Sequence, residues 1–173
     1  MTRTLRNILG ATCLLAVVAC AVDIAFDMTK DIPVDATGTS VNSVVAVDLA
    51  QYQVVQDHKG NVQALQLQSV DVKVTAISTT NKATSVSGTM SLRPAGAIDA
   101  TQDVAVGTLT NVPIVLLTKV TLPGSAALDA FLLQQIKGDG KFSAVISGST
   151  AGGEAHLTIN AVMHASMSYG TGL

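Results

Sequence analysis

The clearest alternation in the chain runs from Glu154 to Tyr169. Ala155, Leu157, Ile159, Ala161, Met163, Ala165, Met167 and Tyr169 share one phase. His156, Thr158, Asn160, His164, Ser166 and Ser168 share the other, interrupted by Val162. Successive side chains of a strand point to opposite faces, so this pattern predicts a long strand that is half buried or passes from one sheet into another. Val62 to Ile77 predicts a second long strand. Its apolar phase changes between Leu65, Leu67 and Val70, Val72, Val74, which places a bulge or a crossing near Gln68–Ser69. Shorter strands are predicted at Val44–Leu49, Thr84–Leu92, Asp103–Leu109, Ile114–Leu122 and Lys141–Gly148, with Ser149–Gly153 suited to a hairpin loop. Asp57–Asn61 reads as a polar turn, while Ala50–Gln56 fits neither period.

Only one stretch has convincing helical spacing. Leu128, Phe131, Leu132 and Ile136 form a stripe, Ser125 stands where an N-cap would, and Gly138 follows as a stop. The elements together predict a mainly β domain over residues 41–173: an antiparallel β-sandwich with one packed α-helix at about 126–137. Ahead of it, Ala21–Asp27 alternates well enough for a first strand. Asp23, Asp27, Asp31 and Asp35 recur every four residues. On a helix such a row would repel itself, and Ile24, Ile32, Pro33 and Val34 disfavour a helix here. Residues 20–40 therefore read as a solvated tether with a possible first strand, in preference to a calcium site.

The N-terminus has a different character. Arg3 and Arg6 precede an apolar run from Ile8 to Ala19, shorter than the ~20 residues that a spanning helix needs. Val17-Val18-Ala19-Cys20 resembles the lipobox of bacterial lipoproteins, although Leu is commoner than Val at its first position. The resemblance implies that residues 1–19 are a signal peptide removed before Cys20. It also implies that the Cys20 thiol receives a diacylglyceryl group and that the new amine is fatty-acylated, as with palmitate. Several acyl chains anchor stably where one alone is marginal. Ala21 stands where lipoproteins kept at an inner membrane often carry Asp, so the sorting rule implies the outer membrane of a two-membrane cell envelope.

Composition narrows the function. The chain has 173 residues, 48% hydrophobic, 13% charged and 3% aromatic, with a net charge of −2. Without the leader, Arg93 is the only arginine, so no basic footprint for nucleic acid remains. Of the two cysteines, Cys13 lies in the leader and Cys20 is the acylation site. The mature chain is thereby expected to lack a disulfide, a thiolate metal site and a cysteine nucleophile.

Candidate catalytic motifs fail on spacing. Gly148–Gly152 has Thr150 at its centre and no strand-to-helix turn after it, unlike a nucleophile elbow. Gly138–Lys141 would end a helix, whereas a phosphate-binding loop begins one. His156 and His164 share a strand face but stand ~26 Å apart, too far to share a metal. His58 could approach one of them across strands, but no run of acidic residues adjoins either. No catalytic residue, metal ligand or cofactor is therefore assigned.

Two stretches resemble the water-stress and hypersensitive-response domain of late-embryogenesis-type proteins. One is Ser69–Ile77 followed by Val86–Leu92; the other is the helix Ala126–Lys137 followed by the strand Phe142–Gly148. The resemblance implies a β-sandwich with one helix. The Asn-Pro dipeptide usual in that family is absent, since Lys82 follows Asn81. The expected role is that of a non-catalytic envelope lipoprotein, structural or binding a protein or lipid partner. The alternative is a lipid-binding or lipid-transfer module with a cavity between sheet and helix.

Overall fold

The computed structural model describes residues 21–170; the expected leader and Cys20 lie outside them. Eight strands are formed: β1 (Ala21–Ala36), β2 (Ser40–Asp48), β3 (Val62–Ile77), β4 (Ser85–Pro94), β5 (Val104–Pro113), β6 (Lys119–Pro123), β7 (Lys141–Ala151) and β8 (Ala155–Gly170). Helices α1 (Gln53–His58) and α2 (Ala126–Lys137) complete the frame. All pairings are antiparallel, in two sheets ordered β1-β8-β3-β6 and β2-β7-β4-β5. The protein is a mainly β sandwich with a packed helix, as the periodicity implies.

Strand β8 is the spine of the first sheet. Its inward residues from Ala155 to Met167 are buried without exception, and β1 and β3 flank it along almost its whole length. The register between β3 and β8 shifts between Leu67 and Ser69, where the apolar phase of the sequence changes. On that side α2 closes the core. The Ser125 hydroxyl accepts from the Leu128 N–H at 3.3 Å, and Leu128, Phe131, Leu132 and Ile136 are buried. Asp129, on the same helix, accepts from the Leu67 N–H at 2.7 Å and ties α2 to β3 beside the bulge.

Three expectations are corrected. Residues 21–36 are not a tether: the possible first strand at Ala21–Asp27 runs on to Ala36 as one sixteen-residue strand, so the sandwich includes residues ahead of 41. The reason lies in the spacing: four is a multiple of two, so all four aspartates fall on one outer face, while Met28, Ile32, Val34 and Ala36 face the core. Strand β1 is an edge strand, where Pro33 is tolerated. Lys30, half buried on the inward phase, discourages pairing with another chain.

The unassigned stretch before His58 holds the short helix α1, which takes in Asp57 and His58 of the expected polar turn. The strand expected over Ile114–Leu122 is shortened to β6, because Val115–Thr118 forms a turn with Leu117 in the left-handed region at φ 67°.

The two ends of the sandwich differ. At the near end Ala21 pairs with Gly170 and Val62 with Tyr169, and α1 packs beside them. At the far end Ala36 pairs with Ala155 and Ile77 with Leu157. Between the sheets the core is filled with aliphatic and methionine side chains. A void of about 30 Å³ lies among residues such as Val74, Leu109, Ile146 and Ile159. That is room for a water or two, against ~300 Å³ for the smallest ordinary ligand pockets.

Candidate functional site

The outer face of the first sheet carries an ordered polar network. Each aspartate of β1 meets a partner on β8. Asp23 accepts from the Ser168 hydroxyl, and Asp31 accepts from the Asn160 amide at 2.7 Å. Asp35 pairs with His156 Nδ1 at 3.1 Å, and Asp27 with His164 Nδ1 at 2.8 Å. The second His164 nitrogen, Nε2, lies 3.0 Å from Asp71 of β3. Asp71 in turn holds Lys119 of β6 at 2.7 Å and accepts from Thr121 at 2.6 Å. A chain of charge-assisted contacts thus crosses all four strands: Asp27, His164, Asp71, Lys119.

This geometry overturns the expectation that no acidic residues stand beside the histidines. The signal was present as two matching four-residue repeats, Asp at 23, 27, 31 and 35 against Ser, Asn or His at 168, 164, 160 and 156. His58 joins neither histidine; it stacks on Tyr169 with ring centroids 3.8 Å apart. Among the described residues no group of three or more His, Cys, Asp or Glu is arranged to hold a metal ion. Gly138 caps α2 and leads into a turn, and Thr150 lies within β7, so neither glycine-rich stretch forms a catalytic loop. Among the described residues no buried side-chain polar atom lacks a partner.

Both nitrogens of an imidazole donate only when it is protonated. The hydrogen bond to Asp27, then that to Asp71, raises the His164 pKa above its ordinary 6.5, with burial opposing. The Asp71 carboxyl is held far below the usual range, first by Lys119 and then by Thr121. The stabilising contribution of His164 is therefore complete below 6.5 and is lost as pH rises through its raised native value. That of Asp71 is complete above 3.8 and fades as pH falls below it. Urea midpoints should peak between these two values and decline on the alkaline side. In His164→Gln that alkaline decline should flatten. A variant that retained the full decline would place its origin elsewhere.

The far end carries two features that sequence did not single out. An open groove of about 360 Å³ is lined by Pro33, Asp35, Ala76, Ser78, Thr80 and His156 among others. Beside it, the turn after Ile114 presents Val115, Leu116 and Leu117 at 59%, 55% and 67% exposure. The Leu117 N–H donates to the Val74 carbonyl at 2.9 Å, which fixes this turn to β3 just before the groove-lining Ala76. A leucine with positive φ is uncommon and strained.

No protein-family model and no curated protein matches the chain. Among solved structures it is similar to one of Desmodium yellow mottle tymovirus, at 11% identity and a TM-score of 0.36 over 100% of this chain and 97% of that one. It is also similar to one of turnip yellow mosaic virus, at 10% identity and a TM-score of 0.40 over 87% and 96%. Likenesses this slight carry no functional inference.

Proposed function

We propose that the chain is a lipid-anchored, non-catalytic protein of a bacterial cell envelope that binds a partner protein through the far end of its sandwich. The observation that carries the partner-binding role is the run Val115-Leu116-Leu117, exposed beside an open groove. Three consecutive exposed aliphatics cost solubility, and such surface marks contact sites more often than decoration. The filled core supports binding at the surface over a ligand cavity between sheet and helix. The anchor rests on the lipobox-like Val17 to Cys20 after a basic and then apolar leader. Outer-membrane retention follows from Ala21 after the cysteine.

Two readouts in the same cells test this reading. A clickable fatty acid should mark the wild type and leave Cys20→Ala unmarked; equal marking of both would end the anchor. A photo-crosslinking residue at Leu116 should form a discrete adduct. The same residue at Val44, an equally exposed aliphatic on β2, should not. Identical adduct patterns at both positions would end the partner-binding role.

A further inference from the structure

Ala21, directly after the residue expected to carry the lipid, is already paired within β1. Consecutive Cα atoms are ~3.8 Å apart, so an acylated Cys20 leaves no spacer between the bilayer and the sandwich. Ala21 pairs with Gly170, whose N–H donates to the Asn61 carbonyl at 3.0 Å. Neighbouring strands lie ~4.8 Å apart, which puts the Lys59–Asn61 turn about 10 Å from Ala21 across the same end. The His58–Tyr169 stack stands beside that turn.

Two orientations satisfy so short a connection. The domain could stand on its near end, or lie down on the outer face of the first sheet, which would also bring the Val115–Leu117 turn towards lipid. Charge separates them. The outer face sets the four aspartates of β1 and Asp71 against Lys73 and Lys119. Pressing that excess of carboxylate onto phosphate headgroups is unfavourable. The near end is close to balanced, with Asp48, Asp57 and Asp139 against Lys59, Lys137 and Lys141, and adds an amphipathic tyrosine suited to the headgroup layer. From Val62 to Val74, β3 rises ~40 Å.

Building on the anchor reading above, we propose that the acylated protein stands end-on upon its bilayer. The Lys59–Asn61 turn, His58 and Tyr169 then meet the lipid headgroups, and the Val115–Leu117 turn is held ~40 Å above them. The partner of the near end is thus a phospholipid surface, and the groove and apolar turn face away from it.

Cysteine usage makes the test direct. With Cys13 removed in the leader and Cys20 acylated, an introduced cysteine is the single free thiol. Lys59→Cys, Leu116→Cys and Thr79→Cys, the last in the exposed turn between β3 and β4, are each labelled with a fluorophore in the full, lipidated protein. They are then placed in phosphatidylcholine vesicles bearing a nitroxide on the headgroup. The probe at residue 59 should lose more than half of its emission, and those at 79 and 116 almost none. Quenching at 116 equal to that at 59 would mean the domain lies flat. Absence of quenching at all three would mean it stands off the surface. Either result overturns the proposal while leaving the anchor intact. Protein that does not float with the vesicles would refute the anchor itself, and the proposal with it.

Discussion

Phe131→Ala should lower the stability of the domain by ~3–5 kcal/mol, the usual range for deleting a buried phenylalanine. Phe131 is 6% exposed on the inner stripe of α2 and meets Phe142 of β7 edge to face, with ring centroids 5.8 Å apart. It therefore joins the helix to the second sheet, while Asp129 joins the same helix to the first. Against a typical total of ~5–15 kcal/mol, the loss is large enough to leave a measurable unfolded fraction at ambient temperature. Urea unfolding of the acyl-free Cys20→Ala protein, followed by far-ultraviolet circular dichroism, would read it as a lower midpoint at constant slope. A change under ~1 kcal/mol would mean that α2 is a loosely held lid and not part of the core.

Gly88→Ala should also destabilise the domain, although alanine is normally the better strand residue by ~0.5–1 kcal/mol. Gly88 of β4 faces Gly148 of β7 in register. A Cβ on Gly88 would sit 2.2 Å from the Ser147 carbonyl oxygen and 2.8 Å from the Gly148 Cα. Those are backbone atoms, so no side-chain rotation relieves the clash and the central pair of the second sheet must separate. Overpacking of this kind costs ~1–3 kcal/mol and occasionally more. The clash outweighs the propensity gain, and a net loss of about 1–2 kcal/mol is expected. Gly60→Ala is the matched control, since nothing lies within 4 Å of its added carbon. It should stay within ~0.5 kcal/mol of the wild type. Equal midpoints for the two variants would show that the strands re-space without cost.

Loss of the near-neutral pH dependence in His164→Gln belongs to a different part of the molecule. Its effect is smaller than either core change because the network lies on a solvated face, where charged pairs are screened. Its value is diagnostic: it reports whether β1, β8 and β3 stay in register.

Local pattern made several elements legible in the sequence. Helix α2 occupies Ala126–Lys137 because its stripe, its serine cap and its terminal glycine all lie within fourteen residues of one another. Strand β3 runs from Val62 to Ile77, with the middle of its three register shifts where the apolar phase slips, because a period of two is read from neighbouring residues.

What only the tertiary structure decided depends on residues far apart in the chain. Asp27 and His164 are 137 positions apart, and nothing local says that β1 lies beside β8 in that register. Without the neighbour, a row of aspartates every fourth residue is ambiguous between a tether and one face of a strand. The buried phase of Met28, Ile32 and Val34 settles it, through contacts supplied by the opposite sheet. Ile114 to Leu122 is ambiguous for the converse reason. Ile114 to Leu117 is apolar at every position, so no period marks where the strand must break. The break falls at Leu117, whose backbone closes a turn onto Val74 and leaves three aliphatic side chains in water. Burial of those side chains alone would favour continuing the strand; the closing hydrogen bonds to β3 determine the turn.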